Sequence, residues 1–78
     1  MTHAGWYLFT PQYSEAIWIT HQRLNGVDNA EAKALLADYD ELCAAWWAKE
    51  VDDQTARDAL MRWHGESHKL LRREEAGT

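Results

Sequence analysis

The stretch "DNAEAKALLADYDELCAAWWAKEVDD", Asp28 to Asp53, decides how this chain folds. It opens on a helix-start signal, with Asp28 as N-cap and Glu31 three residues on, reaching back as the second half of a capping box. Ala32, Leu35, Leu36, Tyr39, Leu42, Cys43, Trp46 and Trp47 then recur at helical spacing. On a helix they occupy an arc of about 140°, a broad core-facing stripe. The spacing predicts a helix over 29–49, with Trp46 at the centre of the stripe and Trp47 at its edge. The stretch closes on Asp52 and Asp53, either of which can cap a further helix.

That further helix runs over 53–75, and its inward face is Ala56, Leu60, Trp63, Ser67, Leu70 and Leu71. Gly65 weakens it by about 1 kcal/mol relative to alanine, a tolerable local cost. The two apolar patterns join without a break through Lys49 and Asp53. A single long helix paired with a second copy of the chain, a homodimer, is therefore the competing arrangement. The polar residues at the seam and the capping aspartates favour a bend between Lys49 and Gln54.

Upstream, "LNGVD" reads as a helix stop, with Gly26 in the left-handed conformation and Val27 packing back. A first helix over 11–25 then starts from Thr10, with Pro11 in the first helical position, where its missing N–H is harmless. Tyr13, Ile17, Thr20, His21 and Leu24 share its face, while Trp18 and Ile19 fall outside it. Because of that conflict, "WYLF" and "AIWIT" also read as the strands of a hairpin around Pro11. The expected fold is all-α, a small three-helix bundle in one domain spanning 1–78. An apolar strap over 1–10 and a first helix or β-hairpin precede the helical hairpin 29–49/53–75. Its expected core is Leu35, Tyr39, Leu42, Trp46, Leu60, Trp63 and Leu70.

A chain of 78 residues has a marginal core, because a domain this small buries only about 60–65% of its unfolded surface. Five tryptophans, three tyrosines and one phenylalanine compensate with large buried rings. The single cysteine excludes an internal disulfide and suits a reducing compartment. No signal peptide is legible, and no apolar run approaches the roughly 20 residues of a membrane span. Alanine, aspartate, arginine and tryptophan are frequent and lysine is scarce, which suits a GC-rich bacterial or phage source and a cytoplasmic protein.

The net charge of −5 is unevenly spread. Residues 1–27 balance to zero, 28–58 carry nine acids against Lys33, Lys49 and Arg57, and 59–78 carry four bases against three acids. An acidic centre of this kind repels nucleic acid and attracts basic protein surfaces.

Chemistry-bearing patterns are sparse. His64 and His68 in "WHGESH" stand four apart, a spacing that aims both rings from one helical face as for two zinc ligands. Gly65 takes the place where a zincin needs glutamate, and two boundary histidines beside the core explain the pair more simply. Cys43 lies on the buried stripe and reads as a packed thiol rather than a nucleophile. Arg62, Lys69, Arg72 and Arg73 could line a nucleic-acid-facing stripe. Asp58, Arg62, Glu66 and Lys69 are equally spaced for a ladder of ion pairs along the same helix.

No catalytic or cofactor signature rises above these alternatives, so the chain is expected to be non-enzymatic, with no cofactor and no resident metal. The leading expectation is a protein-binding module that engages the basic surface of a larger complex without touching nucleic acid or membrane directly. Its partner-binding residues are Asp38, Asp40, Glu41, Trp47 and Asp52. In size and charge the profile is similar to small phage and mobile-element proteins, including inhibitors of CRISPR complexes. A DNA-binding regulator using the basic third helix, and a zinc-binding protein using His64 and His68, are the alternatives.

Overall fold

Between Trp47 and Asp53 the chain turns back on itself, so its apolar period is shared by two packed helices. The computed structural model describes residues 4–77. Among them four helices follow one another with no strand: α1 (Gly5–Leu8), α2 (Pro11–Asn25), α3 (Ala30–Trp47) and α4 (Asp53–Ala76). This is the all-α bundle that the sequence predicts, with 82% of the described residues helical. Neither the hairpin around Pro11 nor one unbroken helix through residue 75 is adopted. The apolar strap contributes a helix of its own, the single turn α1, while residues 1–3 of that strap lie outside the described residues.

The reversal after α3 is closed by its backbone. The Glu50 N–H donates to Ala45 O at 2.9 Å and the Lys49 N–H to Trp46 O at 3.0 Å, the paired bonds of a Schellman ending. That motif needs a left-handed residue after the cap, and Lys49 supplies it with φ 61°. The sequence reading assigned this conformation to Gly26, which instead keeps φ −88°. There α2 tightens into i→i−3 bonds, from Gly26 N–H to Arg23 O and from Val27 N–H to Leu24 O, with no left-handed residue.

The start of α3 corrects the sequence reading by one residue. Asn29 is the N-cap, and its side chain accepts the Ala32 N–H at 2.7 Å. Asp28 stays outside the helix, 3.6 Å from the Lys33 ammonium. The shift leaves Glu31 in the second helical position, too early to reach back as a capping box, and it pairs across the bundle with Arg73. The other two starts are as expected. Thr10 caps α2 ahead of Pro11 by accepting the Tyr13 N–H, and Asp52 caps α4 by accepting the Thr55 N–H at 2.8 Å.

The long helix α4 packs against all three others. Its 24 residues span about 36 Å at 1.5 Å per residue, which sets the 40 Å long axis of the bundle. Ile17 and Leu24 from α2, Tyr39 and Cys43 from α3, and Leu60, Trp63, Leu70 and Leu71 from α4 fill the core. Trp63 is pinned there, because its indole N–H donates to Leu35 O at 2.7 Å. Burial pushes the Cys43 thiol up from its ordinary pKa, as suits a packed thiol.

Three residues expected in the core are only half-buried: Leu35, Leu42 and Trp46. The buried line of α3 runs through Ala32, Tyr39 and Cys43, and Leu35 and Leu42 flank it where α3 and α4 leave a groove. Trp46 lies on the last turn of α3 and donates its indole N–H to Asp53 at 2.9 Å.

Candidate protein-binding surface

The groove between α3 and α4 gathers two of the five predicted binding residues, Asp38 and Glu41. Leu35, Leu42, Ala45, Ala59 and Trp63 form its floor. Asp38 and Glu41 rise on the α3 side, and Arg62 and Glu66 on the α4 side. The helix wheel explains the placement: Asp38 and Glu41 fall within about 60° of each other, just beyond the apolar stripe. Once α4 lies along Leu35 and Leu42, that flank becomes a rim.

Charge along the groove is unevenly compensated. Toward the open end of the bundle, Glu31 is paired with Arg73, and Glu66 with Lys69 at 3.7 Å. Among the described residues, Asp38, Glu41 and Arg62 have no ion pair. The predicted ladder along α4 is therefore mostly absent. Asp58 accepts from Gln54 at 2.9 Å instead of meeting Arg62, and only the Glu66–Lys69 rung forms. What remains is a half-buried apolar floor with two free carboxylates on one bank and a free guanidinium on the other. Such a surface suits an amphipathic segment whose basic side chains would take the carboxylates.

The other predicted residues lie elsewhere. Asp40 is exposed on the opposite flank of α3, close enough to His21 of α2 to oppose the downward pull that burial exerts on that imidazole's pKa. Trp47, 42% exposed, belongs to an aromatic cluster at the turn end. Tyr7 of α1 stands edge-on to it at 5.3 Å and stacks on Trp46 at 6.0 Å. Asp52 is committed to the N-terminus of α4, where accepting from Thr55 holds its carboxyl below the usual range, and it does not line the groove.

Sequence reasoning missed the α4 bank and the α1 contribution. Ala59, Arg62, Trp63 and Glu66 recur at spacings of three and four, so the bank was legible as a helical row. Its facing residues were not, because they depend on the register of the helical hairpin. Nothing local marked Tyr7 as the ring that meets Trp47.

The histidines also find partners that spacing does not reveal. His64 and His68 are half-buried, with their Nε2 atoms 3.0 Å apart and Thr20 of α2 between them. Burial first, and the His68 imidazole second, lower the His64 pKa. Among the described residues no cluster of three or more His, Cys, Asp and Glu side chains is arranged for a metal, and no helix is long and apolar enough to cross a membrane. No protein-family model, no curated protein and no solved structure matches this chain.

Proposed function

We propose that the chain is a non-enzymatic protein-binding module that lays its α3–α4 groove over a basic amphipathic segment of a larger partner. One observation carries this reading: Asp38 and Glu41 stand unpaired beside an apolar floor of Leu35, Leu42 and Trp63. An apolar floor supplies the affinity of a docking site, and the uncompensated acid chooses the partner and speeds its approach. Basic segments of this kind line the nucleic-acid grooves of large complexes. An inhibitor or adaptor that occupies such a groove, as CRISPR-blocking proteins of phages do, is the finer form of the proposal.

The DNA-reading alternative is the weaker one. Arg73 and Lys69, half of the basic stripe on α4, are tied to Glu31 and Glu66. Asp38 and Glu41 share the groove with Arg62, so a phosphate backbone meeting that guanidinium would also meet acid.

The test is a double charge reversal, Asp38→Lys with Glu41→Lys, measured against the partner captured in the native host. Both residues are exposed and neither caps a helix, so the helical signal should stay intact. Binding should be lost, and the wild-type association rate should fall as salt rises, while the remote Glu15→Lys does little. Unchanged binding by the double variant would move recognition away from this groove, to the exposed rings of Tyr7 and Trp47.

A further inference from the structure

The geometry points to a second site, a metal-chelating triad formed by His64 Nε2, His68 Nε2 and Thr20 Oγ1, which takes a late first-row divalent ion such as Zn2+ or Cu2+. The three atoms form a closed triangle. Its edges are 3.0 Å between the two imidazole nitrogens, 3.1 Å from Thr20 to His64 and 3.4 Å from Thr20 to His68. Donors held about 2.0–2.1 Å from one ion stand about 2.9 Å apart at a right angle and about 3.4 Å apart at the tetrahedral angle. All three edges fall in that range.

Without an ion, the triangle is held by hydrogen bonds, and their proton occupies the place an ion would take. Thr20 has one hydroxyl proton, and it is donated to Ala16 O at 2.9 Å. A single proton on His64 Nε2, shared between Thr20 Oγ1 and His68 Nε2, serves the two shorter edges and leaves the 3.4 Å edge at van der Waals separation. Protons on both Nε2 atoms would face each other across the 3.0 Å edge. A cation replaces that shared proton and draws on three lone pairs at once, with both imidazoles neutral and protonated at Nδ1.

The donor set fixes the class of ion. Two imidazoles and a neutral hydroxyl suit zinc, copper or nickel, and lack the carboxylates that magnesium and calcium need. The histidines are half-buried rather than sealed, so an ion enters from solvent and keeps water on its remaining positions. Tyr13 lies edge-on to His64 at 5.4 Å and walls one side. Since Thr20 belongs to α2 and both histidines to α4, the bound ion ties the two helices together.

Zinc chloride titrated into the full chain by calorimetry, with the histidine ring C–H signals followed by NMR, tests the site. We expect one ion per chain, shifts confined to His64 and His68, a higher melting temperature in zinc and no response to magnesium. His64→Gln and His68→Gln should each abolish binding. Thr20→Val, close to isosteric, should weaken it about tenfold or more, and Thr20→Ser should restore it. His21→Gln should bind as wild type does. Far-UV circular dichroism of each variant separates lost binding from lost fold. Zinc binding that survives both histidine variants, or no zinc binding by the folded wild type, overturns the site. Full affinity in Thr20→Val removes Thr20 from the triad.

Discussion

The two ends of the α3–α4 pair are closed by different physics. At the turn end Trp46, Trp47 and Tyr7 pack ring on ring, and the Trp46 indole is fixed to Asp53. At the open end three polar cross-links hold the last turns of α4: Arg73 to Glu31, Glu74 to Asn29, and Glu75 to Arg23. The turn end is tethered by five residues of chain between Trp47 and Asp53 and can rely on packing. The open end has no such tether, and beyond Leu71 the last turn of α4 carries no large apolar side chain. Exposed pairs there contribute only about 0.2–1 kcal/mol each. They set register more than stability. Most of the stability therefore sits between the two ends.

Trp63 is the middle that both ends depend on, and its loss should have the largest effect. Trp63→Ala removes a ring that is 4% exposed together with its bond to Leu35 O, and should cost about 3–5 kcal/mol, enough to unfold a small domain. Thermal melting of the variant checks this, and a nearly wild-type melting temperature would place the core elsewhere.

The next effect sharpens the account of the turn end. Lys49 holds a left-handed conformation that favours glycine. Lys49→Gly should raise stability by about 1 kcal/mol in chemical denaturation. A loss of stability would mean that the lysine side chain contributes more than its backbone strain removes.

The smallest effect belongs to the open end. Arg73→Ala leaves Glu31 exposed to water rather than buried without a partner, so it should cost less than about 1 kcal/mol. That cost should shrink further as salt rises. A loss of several kcal/mol, insensitive to salt, would show that the open end is closed by more than ion pairs.

The same contrast explains what the sequence made legible. The turn end could be read closely: the bend between Lys49 and Gln54 and the cap at Asp52 both follow from local chemistry. So does α2, whose Thr10–Pro11 start and Asn25 end are where the residues place them. The open end could not, since Arg23, Asn29, Glu31, Glu74 and Glu75 are joined only by tertiary register. The cap at Asn29 was misread because Asp28 and Asn29 are both good caps, and only the first Ala30 turn chooses between them. For the candidate surface, the Asp38–Glu41 bank followed from the wheel of one helix. Arg62 and Glu66 opposite it, and Thr20 beside the two histidines, required two or three helices in contact. Periodicity tells which face is apolar. It does not tell which residue of another helix will stand across from it.

The acidic-rimmed groove, rather than the aromatic end, is the proposed working surface. A nitrogen-15 NMR titration with an amphipathic helical peptide rich in lysine and arginine tests it most directly. Shifts should be confined to Asp38, Glu41, Leu42, Ala45, Arg62 and the Trp63 indole N–H, weakened by salt and absent in the Asp38→Lys/Glu41→Lys variant. Shifts centred on Tyr7, Trp46 and Trp47 that persist in that variant would contradict it.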